Sequence, residues 1–222
     1  MQFPETFLSG LTSADRDALL AKVGVRRYER GDLILRQGDR NADVAVLLTG
    51  RVKLVARAES GQPVVLGIRG AGELLGEIAA FAEGTRTADA VALEQTSAGF
   101  STAETMQLFI ASRPHVAVGF MRTMARRLRE ADLARIGLAT NDARGRLADR
   151  LLDVARIYGT DVGSGVEFAL PITQDELAGW VGVSRQAVAR ALGEMRSAGW
   201  LTNRGKHVVL HDLQALGDQA SR

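Results

Sequence analysis

The stretch "VAVGFMRTMARRLREADLARIGLA", Val116 to Ala139, is one helical run without proline, and it separates an upstream part of the chain from a downstream part. Met121, Met124, Leu128, Ala131, Arg135 and Leu138 recur in it at alternating steps of three and four. That is the seam of a two-stranded coiled coil with one polar interruption. The same stripe could instead pack on its own upstream domain. We read it as a homodimer contact made by Met121, Met124, Leu128, Ala131 and Leu138, within a division of the chain into 1–115, 116–140 and 141–222. Both flanking parts are long enough to bury a core of their own.

Upstream, "TSADRDALLAKV" predicts a leading helix. From Val25 to Ala103 the chain is a series of short β-rich runs, "DVAVLLTG", "RVKLVARA", "QPVVLGI" and "TADAVAL", broken by Gly31, Gly38, Gly50, Gly61, Gly70, Gly72, Gly76 and Gly84. Short strands punctuated in this way predict an antiparallel barrel or jelly roll, so the chain as a whole is α+β.

Downstream the texture is helical again and ends in a short β pair. In "ITQDELAGWVGVSRQAVARAL", Thr173 with Glu176 forms a capping box, Ser184 can cap a second helix, and Gly182 supplies the turn between them. This is a helix-turn-helix, whose second helix enters the DNA major groove by its N-terminal end. At 100° per residue Val188, Ala191, Leu192 and Met195 gather on one side, and Arg185, Gln186, Ala189 and Arg190 on the other. Arginine can donate twice to guanine, glutamine suits adenine, and Ala189 permits close approach.

Charge sharpens this reading. The chain's formal net charge is only +2, from 28 basic and 26 acidic residues, so any nucleic-acid binding must be local. Ser184 to Leu210 holds Arg185, Arg190, Arg196, Arg204 and Lys206 against Glu194, whereas Asn141 to Val183 is net acidic. The hairpin "LTNRGKHVVL" places Arg204 and Lys206 at its tip, where a wing meets phosphate. Double-stranded DNA is the expected partner.

With these features in order, the sequence resembles the family of the cyclic-AMP receptor protein and FNR along nearly its whole length. "GDLILRQGDRNADVAVLLTGRVKL" is similar to the family's early barrel strands, "GELLGEIAAFAEGTRTADAV" to its phosphate-binding cassette, and "ITQDELAGWVGVSRQAVARAL" to its helix-turn-helix. The resemblance implies a homodimeric transcription factor with an N-terminal cyclic-nucleotide-type β-roll, a long dimerisation helix and a C-terminal winged helix-turn-helix. It also implies a palindromic DNA site, an effector held in the barrel, and RNA polymerase as a candidate further partner.

In the cassette, Arg86 can pair with the single charge of a cyclic phosphodiester, and backbone amides near Gly76 and Ile78 can add donors. Glu77 can accept a ribose 2′-hydroxyl. The resemblance assigns those roles to Glu77 and Arg86 and places Thr87 near the phosphate. A purely structural Glu77–Arg86 pair across a turn, in a member without a nucleotide, is the alternative. Where the cyclic-AMP receptor protein carries a Thr-Ser pair that meets adenine, this chain has Ala131 and Asp132. Asp132 can accept from adenine or from guanine, so cyclic AMP and cyclic GMP both stay open. Gln186 stands where the receptor protein has glutamate, so one base pair of the half-site is expected to differ.

Other chemistry finds little footing. Without cysteine there is no disulfide, thiolate or iron–sulfur chemistry, and the three histidines, His115, His207 and His211, match no metal spacing. A haem or other small-molecule sensor with secondary DNA contact would need an axial ligand near the barrel, where His115 is the only histidine. No catalytic triad order, P-loop or dinucleotide motif is present, so no enzyme is expected. The start "MQFPETFLSG" lacks signal-peptide features and no apolar run reaches membrane-span length, which predicts a cytoplasmic protein without membrane contact.

Overall fold

In a computed structural model of the chain, the described residues are 6–57, 63–82 and 84–220; Gly61, one of the glycines expected to break the β region, and Glu83 of the cassette lie outside them. The backbone divides into two compact units between Arg129 and Glu130.

In the N-terminal unit, α1 (Ser13–Leu20) starts where Thr12 accepts a hydrogen bond from the Asp15 amide. Eight strands come next: β1 (Gly24–Tyr28), β2 (Leu33–Leu35), β3 (Val44–Thr49), β4 (Arg51–Arg57), β5 (Pro63–Gly70), β6 (Leu74–Leu75), β7 (Asp89–Ala92) and β8 (Thr96–Ser101). The short helix α2 (Glu77–Phe81) sits between β6 and β7. All pairings are antiparallel, in sheets ordered β1-β8-β3-β6 and β2-β7-β4-β5, which is the jelly-roll type the glycine spacing predicts.

Strand β3 shows why "DVAVLLTG" reads as an unbroken apolar run. Ala45 and Leu47 join Ile34, Val52, Leu75 and Phe100 in a core drawn from both sheets. Val44 and Val46 point the other way, into a second core with Phe7, Leu19, Leu74, Met106, Phe109 and Val116. Successive side chains of a strand face opposite sides, and here both sides are buried. The second core is completed by α3 (Ala103–Ala111), capped by Thr102, and by the first turns of α4 (Pro114–Thr140). Proline at the first position of α4 costs no internal hydrogen bond.

The C-terminal unit takes in the rest of α4, then α5 (Ala143–Tyr158), β9 (Thr160–Asp161), β10 (Val166–Ala169), α6 (Gln174–Val181) and α7 (Arg185–Ser197). It closes with β11 (Leu201–Arg204), β12 (His207–Leu210) and α8 (Leu213–Ala220). The sequence reading ends the chain in a β pair, and the structure corrects this twice. The pair extends into a four-stranded sheet ordered β11-β12-β10-β9, and α8 comes after it with Leu216 fully buried. The signals were short: β9 has two residues, and Gly217 interrupts the apolar pattern of α8.

One arginine fastens the end of α4 to the helix-turn-helix. Arg146 donates from Nε to the Val181 carbonyl at 2.8 Å and from Nη1 to the Asn141 carbonyl at 2.5 Å. Gly182 closes α6 at φ +72°, and a Cβ there would lie 2.9 Å from Leu138 Cδ2. The turn between α6 and α7 thereby lies against the last turn of α4. Among the described residues, no helix is long and apolar enough to cross a membrane.

Candidate ligand pocket and nucleic-acid interface

The cassette is built around Arg86. Gly76 takes φ +80°, and a Cβ there would collide with Arg86 Nη1, so both backbone and packing require glycine. Arg86 is only 4% exposed. Its Nη1 donates to the Gly76 carbonyl at 2.7 Å and its Nη2 to the Asp43 carbonyl. Two of the five guanidinium N–H groups are used on carbonyls, and among the described residues no carboxylate forms an ion pair with it. Burial pushes the Arg86 value below the usual one, with Asp43, Glu77 and Asp39 offsetting part of the effect from longer range. The structural Glu77–Arg86 pair left open by the sequence is not formed.

Glu77, 5% exposed, instead meets α4. Arg127 Nη1 donates to Glu77 Oε1, while Arg127 Nη2 donates to Glu73 Oε2 at 2.9 Å and to the Leu74 carbonyl at 2.7 Å. Arg126 Nη2 reaches the other oxygen of Glu73 at 2.7 Å. Burial raises the Glu73 carboxyl, but Arg127 and Arg126 outweigh it and hold the group below its ordinary value. Burial likewise disfavours charge on Arg127, and Glu77 and Glu73 more than compensate. Arg127 Nε is buried with no hydrogen-bond partner among the described residues. None of Glu73, Arg126 and Arg127 was marked by the sequence, where Met124 and Leu128 of "MARRL" are read as seam and the two arginines between them carry no assigned role. Their partners stand 50 or more residues away, beyond any periodicity.

The remaining cassette candidates, Ile78 and Thr87, are exposed, and Asp132 is exposed on the part of α4 that belongs to the C-terminal unit. A cavity of about 280 Å³ reaches Arg86 from among Arg26, Arg36, Asp39 and Phe100. Gly76, Glu77 and Thr87 do not line it, so of the cassette candidates it takes in Arg86 alone. His115, the candidate axial ligand, places Nε2 2.5 Å from Asp15 Oδ2.

Along α4, Met121 and Leu128 are 59% and 64% exposed, Ala131, Arg135 and Leu138 are exposed, and Met124 is half-buried. Val118 and Ala125 are also exposed and carry the same three-four stepping along the other flank of Met121 and Leu128. That flank escaped the sequence reading, although 118, 121, 125 and 128 repeat as regularly as 121, 124 and 128.

The candidate reading face is assembled as its caps dictate. Thr173 accepts from the Glu176 amide, and Glu176 Oε2 accepts from the Thr173 amide at 2.8 Å. Ser184 accepts from the Ala187 amide at 3.2 Å and starts α7. Val188, Ala191, Leu192 and Met195 are buried, while Arg185, Gln186, Ala189 and Arg190 are exposed. Arg204 and Lys206 flank Gly205 at the exposed tip between β11 and β12. Arg185 Nη1 lies 3.4 Å from Asp175 Oδ2, a pair between exposed side chains that the sequence reading missed. Of the histidines near the wing, His211 bonds the Ser164 carbonyl and Thr202, and His207 faces Glu167.

Comparison with known proteins bears on both sites. Residues 25–113 match the model of the cyclic nucleotide-binding domain, and residues 145–218 that of the Crp-like helix-turn-helix domain. The CRP-like cAMP-activated global transcriptional regulator of Mycobacterium tuberculosis is 31% identical over 193 residues, which is 87% of this chain and 86% of that protein. The cyclic AMP receptor protein of Thermus thermophilus is 35% identical over 190 residues, 86% and 85% of the two chains. Among solved structures, the c-di-GMP responsive global regulator CLP of Xanthomonas campestris superposes with a TM-score of 0.78 at 27% identity, covering 90% of this chain and 100% of that one.

Proposed function

The chain belongs to the cyclic-AMP receptor protein and FNR family of DNA-binding transcriptional regulators, and from that premise we propose that it acts as a homodimer whose hold on a palindromic site is set by a cyclic nucleotide in the cassette. It is a regulator rather than an enzyme. The cytoplasm is the compartment in which it would meet DNA.

The observation that carries the effector reading is Arg86. A buried cation is expected to have an anionic partner, and this one spends two donors on carbonyls and none on a carboxylate among the described residues. A cyclic phosphodiester fits that need, with Glu77 as acceptor for the ribose hydroxyl and Arg127 as a further donor. Cyclic AMP is the first candidate because two relatives are described by it, and cyclic GMP is the second. The exposed apolar stripe of α4 around Met121 and Leu128 supports the dimer, since family members bind DNA as dimers and such a stripe on a single chain marks an interface. Arg185, Gln186 and Arg190 are the proposed base readers, Thr173, Ser184, Arg204 and Lys206 the proposed backbone contacts, and Ala189 the point of close approach.

Calorimetric titration with cyclic AMP, cyclic GMP and cyclic di-GMP, followed by selection of DNA sites with and without the bound nucleotide, tests the reading. A selected palindrome bound more tightly with one nucleotide supports it. No heat from any of the three, together with unchanged DNA affinity, would remove the effector. Leu128→Arg should abolish the dimer in sedimentation.

A further inference from the structure

We infer that Glu73 is a positioning residue for ribose recognition: it draws the Arg127 fork away from Glu77 and so keeps the Glu77 carboxylate available to a ligand hydroxyl. The inference rests on the proposed role of Glu77 as the ribose acceptor. Its basis is the division of one guanidinium between two carboxylates. Arg127 gives Nη1 to Glu77 and Nη2 to Glu73, and Glu73 is in turn held on its other oxygen by Arg126. Both carboxylates are buried, so neither has water to compete for the arginine. Charge-assisted bonds in such a place are strong, and they are shared as long as both acceptors are charged.

Neutralising Glu73 breaks the division. Arg127, whose Nη2 also holds the Leu74 carbonyl, then has Glu77 as its one remaining charged partner among the described residues and takes up acceptor capacity that a 2′-hydroxyl would use. The phosphate side should be nearly untouched, because the carboxylates that act on Arg86 are Asp43, Glu77 and Asp39, with Glu73 not among them. Glu73 therefore acts on one end of the ligand, through Arg127, and leaves the other end alone.

The test uses the full chain, whichever of cyclic AMP and cyclic GMP it binds more tightly, and the 2′-deoxy analogue of that nucleotide, by calorimetry. The natural protein should prefer the ribonucleotide. Glu73→Gln should reduce that preference by between about threefold and thirtyfold, within the range of coupling between neighbouring groups, with most of the loss on the ribonucleotide. Glu73→Asp, which keeps the charge, should fall between the two. Adding Glu73→Gln to Arg127→Gln should cause no further loss of preference. A merely structural role would weaken both nucleotides alike, so equal losses, an unchanged preference, or additive effects in the double variant would each overturn the inference while leaving the pocket in place. Equal binding of the two nucleotides by the natural protein would instead overturn the role of Glu77, and the inference with it. If Glu73→Gln does not fold, Glu73→Asp carries the same comparison, and an unchanged preference there overturns the inference.

Discussion

The two units carry their proposed functional charges in opposite ways. In the N-terminal unit Glu73, Glu77, Arg86 and Arg127 are nearly removed from water and held by partners far away in sequence. In the C-terminal unit Arg185, Arg190, Arg204 and Lys206 stand in solvent, and among the described residues Arg185 has only the loose contact with Asp175. A ligand pocket must be preorganised, because a buried charge without a partner costs several kcal/mol. A DNA-reading face must keep its donors available, because phosphates and base edges are to supply the partners. The contrast is therefore also one of energetics, since removing one charge of the first set strands a buried partner while removing one of the second is expected to be close to neutral for the fold.

The largest expected effect breaks this contrast if it is wrong. Arg127→Ala leaves Glu77 buried without its ion-pair partner and should destabilise the N-terminal unit by about 3–5 kcal/mol. Arg190→Ala, on an exposed helix face, should change stability by no more than about 0.5 kcal/mol. Denaturant melts of the two variants make the comparison, and similar losses would mean that the reading face is structural as well.

The same difference explains what could be read from the sequence. The reading face was legible because periodicity within one helix puts Val188, Ala191, Leu192 and Met195 on one side and the arginines on the other, and because Thr173 and Ser184 cap locally. The jelly roll was legible from glycine spacing and short apolar runs. Arg127 and Glu73 were not, since their pairing is fixed by how α4 lies on β6 and no local rule links positions so distant in sequence. Asp175 was missed for a milder version of the same reason, because its contact with Arg185 crosses the turn between two helices.

A somewhat smaller effect concerns the ligand. Arg86→Ala should weaken nucleotide binding by about 2–5 kcal/mol, because the phosphate would enter a water-poor site with its main counter-charge gone. Calorimetry checks it. A loss below tenfold would show that Arg86 serves its two carbonyls and not an anion, and the pocket would then resemble the exposed face more than the contrast allows.

On DNA the expected changes are smaller again and differ in kind. Arg185→Ala and Arg190→Ala should each lose about 1–3 kcal/mol of discrimination at one or two base pairs. Lys206→Ala should weaken all sequences about equally and lower the salt slope by about one unit. Gln186→Glu should move preference at one symmetric position from adenine toward cytosine. Competition binding on selected and random duplexes separates these outcomes. Equal weakening of both duplexes by Arg190→Ala would reassign that arginine to the backbone.

The smallest effect is the response to acid, in which the units should diverge. Glu73 is held below the usual carboxylate value by Arg127 and Arg126, and Asp15 by its hydrogen bonds to Thr12 and His115. A carboxylate depressed in the folded state contributes stability that is present above its unfolded value and is lost as pH falls through its folded value. In the C-terminal unit burial raises Asp149 and Asp153, with the nearby arginines offsetting only part of it. A raised carboxylate has the opposite sign: it favours the fold when protonated, and that contribution is lost as pH rises through its folded value. Taking the protein from neutrality down through the carboxylate range should therefore weaken the N-terminal unit while these two aspartates oppose any loss in the C-terminal one. Calorimetry at a series of pH values should show the N-terminal unit's transition moving down first, and Glu73→Gln should flatten that movement. A pH response that Glu73→Gln leaves unchanged would show that the buried clasp is not what acid attacks.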